Sequence, residues 1–437
     1  MGGGDLGRQR KGGRWTILGN RRFAMWLVGQ GVSNTGSTLT VALAPIIAVV
    51  VLHAPSEEVG LIVATSLGCT AAARPAAAVF AERSRIRIRV LLVINIVSAV
   101  VIGLIPLFWI CGALSLAAFW IIIAVNGLAG GVFGAYSAPM VVDLVDKESL
   151  PQASGLLGSM ANIAGVAGPT LGGAILTIVS APIALVVDSA SFLIGAVSCH
   201  LVRGASRSGI APHKPADSSP PVQKIPSMKA FGAAFRVNGG RPLLGILLAL
   251  TVVNGLALSE LTVLMIRGAG VPSAIVAVIG GLGAVGGVLA GVCVVWIAPR
   301  MGNYRGALIG AALASLATIA LAVVKPGGFA VIAYAIYEIM GAGGSTLLIS
   351  LTFTQVIGGL APVERARGIA VAAMLPEVGQ TIGALVGGIF VGLLGVAHFY
   401  DTAALLGLVV AGVAVWLGRR ELSEGSAKQD PPNNAPL

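Results

Sequence analysis

Twelve apolar stretches of roughly 18 to 28 residues follow one another along this chain, each the length an α-helix needs to cross a ~30 Å hydrocarbon layer. Apolar residues make up 56% of the sequence and charged residues 10%, with a mean hydropathy of +0.93. That is too little charge to coat a surface facing water. The predicted fold class is therefore all-α, a membrane protein of 12 transmembrane helices. Helices satisfy their own backbone groups where lipid offers no partner.

The basic residues sort by loop. With both termini cytoplasmic, 25 of the 28 Lys and Arg fall on the inner side, two outside (Arg267, Lys325) and one inside a span (Arg74). The asymmetry predicts that orientation. The formal charge of +11 is thus a topology signal that also attracts anionic lipid. It is scattered over many short loops with no basic arm or recognition motif, which argues against nucleic acid as a partner. The first apolar run is too long, and its basic leader too extended, for a cleaved signal sequence. Cys69, Cys111, Cys199 and Cys293 sit in or at the ends of spans without metal-ligand spacing, so neither a metal nor another cofactor is expected. Abundant Ala, Gly and Val, with 21 Arg against 7 Lys, fit a GC-rich bacterial source and hence a bacterial inner membrane.

The longest polar break divides the chain into two pseudo-symmetric halves. The expected division is a basic N-terminus (1–22), a six-helix half (23–202), a cytoplasmic linker (203–242), a second six-helix half (243–418) and a disordered tail (419–437). Within the linker, Ser227–Val237 has the spacing of a short amphipathic helix on the inner leaflet. LVDKESLPQASG (Leu144–Gly155) and IGGLAPVERARG (Ile357–Gly368) hold corresponding places at an offset of 213 residues, as expected of a duplicated unit. GPTLGG (Gly168–Gly173) and GALVGG (Gly383–Gly388) recur downstream of each. In lipid, small residues let backbones approach, so both runs are expected at helix contacts. Gly281, Gly283 and Gly286 spell a dinucleotide-binding fingerprint, but no strand precedes them and Asn303 stands where an acidic ribose ligand belongs. They read as packing glycines.

Six plus six spans with repeated inner-loop motifs resemble the major facilitator superfamily over nearly the whole chain. Between spans 2 and 3 that family carries Gly-x-x-x-Asp-Arg-x-x-x-Arg; AVFAERSRIR (Ala78–Arg87) keeps Arg83 and Arg87 but has Ala78 for Gly and Glu82 for Asp. Span 5 resembles the family's antiporter signature through Gly155, Gly168, Pro169, Gly172 and Gly173, with Ala164 the one departure. The resemblance implies proton-coupled export, although tight helix packing is a generic alternative for such glycines. NRRF, DLVDKESLPQASGLLG and VVDSASFLIGAVS are similar to the branch containing macrolide efflux pumps and the enterobactin exporter. A monomer is the state this resemblance implies.

An ionisable group inside a span costs several kcal/mol unless paired or wet, so each is a candidate. Glu338 lies about nine residues, or roughly 13 Å, into span 10, near the midplane. Hydrocarbon favours its neutral form, so it is expected to load and release the coupling proton. A structural carboxyl bonded to a neighbouring helix is the alternative. Tyr334, one turn earlier, is placed to bond it or to stack on cargo. Asp188 and Glu260, about six residues from the outer ends of their spans, are second-rank proton or cation sites expected to face a wet vestibule, or else helix-packing groups. Arg74 and Glu377 lie at similar depth in spans 2 and 11, which face each other in the resembled fold. They are expected to form a cytoplasmic gate pair, with Glu82 and Arg83 at its inner end; snorkelling of Arg74 is the alternative. Gln30, Asn34 and Thr38 form one stripe on span 1, and Gln380 with Thr381 extends Glu377 on span 11. Asn126 and Asn254 are isolated, as cavity groups or interhelical bonds. Those stripes mark the expected cargo path.

The resulting expectation is a secondary transporter that exports a small amphiphilic compound, whether drug, secreted product or siderophore, in exchange for protons by alternating access. Proton-coupled uptake of a metabolite is the alternative. No GxxxxGK[ST] loop is present, which argues against a primary pump. The four histidines lie near span ends or in the linker, and the cysteines are dispersed, so an enzyme is not expected.

Overall fold

The computed structural model describes residues 19–84, 86–146, 149–207, 235, 237, 239–322, 328–360, 362–394 and 404–417, without the side chains at 82–83, 151, 204–207, 259, 321–322, 328, 362–373 and 394. Among the described residues the regular structure is helical throughout. The first half comprises α1 (Arg21–Ile46), α2 (Ser56–Arg83), α3 (Arg87–Ile110), α4 (Leu116–Leu144), α5 (Leu150–Leu176) and α6 (Ala181–Arg207). The second comprises α7 (Gly240–Val263), α8 (Ser273–Gly280 and, past Gly281, Leu282–Met301), α9 (Asn303–Ala322), α10 (Gly328–Gly358), α11 (Pro362–Leu394) and the shorter α12 (Ala404–Leu417). Ten of these helices are long and apolar enough to cross a bilayer. α1 and α7 each continue into a π-helical turn, Ile47–Val51 and Leu264–Gly268.

Hydropathy locates the apolar part of a helix and not its ends. α11 starts at Pro362, ten residues before its apolar run, because PVERARG offers Pro for the first turn followed by good helix formers. α6 likewise runs to Arg207 and takes in the first residues of the expected linker. The amphipathic Ser227–Val237 segment, apart from Phe235 and Val237, falls outside the described residues, as do Lys325 and the tail after Arg420. Asn20 caps α1 by accepting from the Arg22 and Phe23 amides, and its own amide reaches the Leu144 carbonyl (2.8 Å), tying the start of α1 to the end of α4. The tight turn between α8 and α9 uses Gly302 at φ +79°, a conformation that costs other residues dearly.

The duplication is visible in the packing. α1 lies on α5 and α2 on α4, as α7 lies on α11 and α8 on α10. The halves meet through α2 against α11 and α5 against α8, two contacts related by the same repeat. The paired glycine runs explain both. Gly168 on α5 leaves no room for a side chain beside the Thr35 carbonyl and Leu39 amide of α1, and Gly383 on α11 does the same against Gly255 and Leu256 of α7. At the other end of each run, Gly173 abuts Ala274 and Val278 of α8, while Gly388 meets Gly60 of α2. The first glycine therefore packs within a half and the last packs between halves. Since lipid is as apolar as a side chain, this close van der Waals approach is what holds such helices together.

Candidate functional site

A cavity of about 490 Å³ lies between the halves, within the range that holds small ligands. Its wall is mostly the first half. α1 contributes Ser33, Asn34, Ser37, Thr38 and Thr40, joined by Asn95 and Ser98 of α3, Asn126 of α4, and Ser66 and Thr70 of α2. α5 presents Gly165 and Pro169; proline has no N–H, so the Gly165 carbonyl loses its helical donor where the cavity passes. The opposite wall is Leu258, Leu261, Val276, Ala277 and Gly280, with Thr262, Tyr334 and Glu338. Among the described lining residues, Glu338 is the one charged side chain.

Glycines make room for that carboxyl. A Cβ on Gly283 would stand 2.7 Å from Glu338 Oε2, and one on Gly280 would stand 3.3 Å from the Tyr334 hydroxyl. Gly286 sits against the backbone of Ile339. The false dinucleotide fingerprint is thus the seat of α10 on α8, and the interruption of α8 at Gly281 falls beside it. Tyr334 is buried one turn before Glu338 on α10, with its hydroxyl beside Gly280.

The other span acids stand elsewhere. Asp188, expected either to face a wet vestibule or to pack between helices, is fully buried, accepting from Thr40 Oγ1 and from Ser191 Oγ (3.1 Å). Gly36 leaves the space that Asp188 and Ser191 fill. Glu260 is likewise fully buried, with Oε1 close to Gly60 at the α2–α11 seam. The depth count from span ends could not choose between the two readings; α1 covers the Asp188 face, and α2 lies against Glu260.

Arg74 Nη1 and Glu377 Oε1 form an ion pair between α2 and α11. Both are partly exposed, and Gly134 of α4 makes room for the guanidinium. The side chains of Glu82 and Arg83 lie outside the described residues. Arg87 of the same sequence motif donates to Asp143 (2.7 and 2.9 Å) and to the Ala81 carbonyl (2.8 Å), pinning the α2–α3 turn to the end of α4.

Asn34, Thr38, Asn126 and Tyr334 line the cavity, and Gln30 does not; it is buried one turn below. Asn254 bonds Ser345 of α10 (3.0 Å), and Gln380 lies on α11 against Gly255, both away from the cavity. In the span 5 signature, Gly172 touches Leu39 and Leu43, while a Cβ on Gly155 would meet nothing within 4 Å among the described residues. Arg267, read in the sequence as a loop charge, reaches across the halves to the Val49 (3.1 Å) and Ala54 (2.8 Å) carbonyls.

The sequence profile of the Major Facilitator Superfamily matches residues 26–358. No curated protein matches the chain. Among solved structures, the nucleoside transporter NupG is similar with a TM-score of 0.69 at 14% identity, covering 90% of this chain and 98% of that one. A bacterial homolog of the human lysosomal transporter Spinster, inward-facing and unoccupied, gives 0.69 at 14% identity over 94% and 98%. A bacterial homologue of the iron transporter ferroportin, inward-facing, gives 0.67 at 15% identity over 90% and 98%. At these identities the likeness is one of fold. Profile and architecture agree, and the chain belongs to the Major Facilitator Superfamily of multi-pass membrane transporters.

Proposed function

We propose that the protein is a secondary active transporter that expels a small amphiphilic compound in exchange for protons. The observation that carries this reading is Glu338, the one charged group among the described residues of a cavity that both halves line. A carboxyl placed there can be reached from either side as the halves rock, and it can bind a proton on one face and release it on the other. The halves at 23–202 and 243–418 act as the moving bodies, as monomer in the bilayer. Both termini face the cytoplasm, supported by the bias of basic residues toward the loops on that side. The bacterial inner membrane is the proposed location. Export is favoured over uptake by the Gly168–Gly173 run of α5, which resembles the antiporter signature.

The halves close against each other on the far side from the termini. The α5–α8 contact involves Gly165 to Gly173 and Ala274 to Ala284, the far-side portions of both helices, while nearer the terminus side the halves meet at the Arg74–Glu377 pair of α2 and α11.

The test is transport in inverted membrane vesicles with an imposed pH gradient, using compounds picked from a susceptibility panel in an efflux-deficient host. Gradient-driven accumulation that Glu338→Gln abolishes, with normal membrane insertion, is the expected result. Accumulation in right-side-out vesicles instead, or undiminished flux in the variant, overturns it.

A further inference from the structure

The chemistry of the cavity wall narrows the cargo, on the assumption that this cavity is where cargo binds. Its hydroxyls carry one hydrogen each, and several have committed it to the protein. Ser37 donates to the Ser33 carbonyl (3.1 Å), Thr38 to the Ala164 carbonyl (2.7 Å) and Thr70 to the Gly127 carbonyl (3.0 Å). Thr40 donates to Asp188. What these groups keep for a guest is lone pairs. The Gly165 carbonyl released by Pro169 adds another acceptor, and the Glu338 carboxylate adds the charge. Among the described lining residues there is no Lys, Arg or His to balance them. The amides of Asn34 and Asn126 add donors as well as acceptors to this polar wall, and across from it stand Leu258, Leu261, Val276 and Ala277, which offer only apolar contact.

We infer that the cargo is a protonated amine carried on an apolar body, its N–H groups directed at Glu338 and the hydroxyl oxygens of α1 and α2, its apolar side laid on α7 and α8. A carboxylate or phosphate could draw on the amides of Asn34 and Asn126 and the hydroxyls of Ser66 and Ser98, but it would face the like charge of Glu338 with no cation to offset it, in a region that screens charge poorly. A quaternary ammonium would satisfy Glu338 but give the hydroxyl oxygens no donor. The N–H requirement therefore separates this site from a general trap for lipophilic cations.

Cargo and proton then compete for one group, so binding should strengthen as pH rises. The groups that could complicate this are placed as follows. Tyr334 and Tyr337 flank Glu338 on α10. The α8 face against it is Gly280 and Gly283, and the described ionisable groups of α8 and α9 are Cys293, Arg300, Tyr304 and Arg305, toward the terminus side. On α7, Glu260 lies against Gly60; on α11, Glu377 is paired with Arg74.

The experiment is equilibrium binding to the purified full-length protein of four dansyl probes that share one alkyl linker and end in ammonium, trimethylammonium, hydroxyl or carboxylate. The expected order places ammonium about tenfold or more above both trimethylammonium and hydroxyl, with carboxylate weakest. Ammonium binding weakens on acidification while hydroxyl binding does not, and Glu338→Gln erases the ammonium preference. The pH arm uses wild type, so it decides even if that variant misfolds. Failure of the ammonium probe to bind, equal binding of the trimethylammonium or carboxylate probe, or a pH-independent ammonium preference overturns the inference. Loss of pH-driven flux with the probe order intact would defeat proton exchange alone.

Discussion

Arg267 at the end of α7 donates to the carbonyl of Val49 at the end of α1, 3.1 Å away, and so ties the first helix of one half to the first helix of the other. A second bond, to Ala54, holds the connection that follows. Both Arg267 and Val49 belong to π-helical turns, where the regular i→i−4 ladder is interrupted. Hydrogen bonds to charged groups contribute about 1.5–3 kcal/mol. Arg267→Ala should therefore shift the far side toward opening by about 10- to 100-fold. With the four native cysteines replaced by Ser, alkylation of Ser37→Cys by an impermeant maleimide added from that side should accelerate accordingly. An unchanged rate would show that these bonds do not keep the far side shut.

The Arg74–Glu377 pair spans the same two halves nearer the terminus side. The Arg74 side chain is 41% exposed, so its static contribution is modest, about 1 kcal/mol or less. Its importance is positional. Arg74→Glu or Glu377→Arg puts like charges face to face at the seam and should cut transport at least tenfold, and the double exchange should recover most of it. Vesicle flux at matched expression measures both, and absence of rescue refutes a direct role for the pair.

Gly283 offers a way to move Glu338 without altering it. The Cβ of Gly283→Val would stand 2.7 Å from Oε2, and the flexible end of the glutamate yields more easily than the backbone. The variant should insert and melt within about 1 kcal/mol of wild type while flux falls about 10- to 100-fold, the scale of a ~1 Å misplacement. Gly291→Val, where nothing lies within 4 Å, is the control and should be silent.

The span 5 signature should divide into unequal parts. Gly168→Ala pushes against the Thr35 carbonyl (2.5 Å) and the Leu39 amide (2.8 Å), backbone atoms that cannot step aside, and should destabilise by about 1–3 kcal/mol. Gly155→Ala meets nothing and should leave thermal stability in detergent unchanged. Equal tolerance at the two positions would remove packing as the reason for the motif.

Twelve helices, the repeat and the glycine contacts were legible because lipid writes length and composition directly into a sequence. The partnership of Arg74 with Glu377 was legible too, through matched depth and the resembled fold. The cavity wall was less so. Asn34, Thr38 and Asn126 stood out as amides and one end of a stripe, but Ser33, Ser37, Thr40, Ser66 and Thr70 did not, because hydroxyls inside spans are commonplace and usually bond their own helix, as Ser37 and Thr70 do. Asp188 and Glu260 were left open between a wet vestibule and helix packing because depth along one helix says nothing about which neighbours cover it. Arg267 gave no signal at all: its bonds go to backbone carbonyls, which every residue has.

The contact of Gly60 with Gly388 brings two bare backbones together, with the Glu260 carboxyl beside them in place of interlocking apolar side chains. Such a point works as a fulcrum. Arg74 lies fourteen residues further along α2, a lever arm of about 21 Å. A rigid-body rotation of about 15°, the scale of known subunit rotations, would swing the guanidinium roughly 5 Å while Gly60 stayed almost still. The crossing can thus remain in place as the far end of the same helix parts from its neighbour.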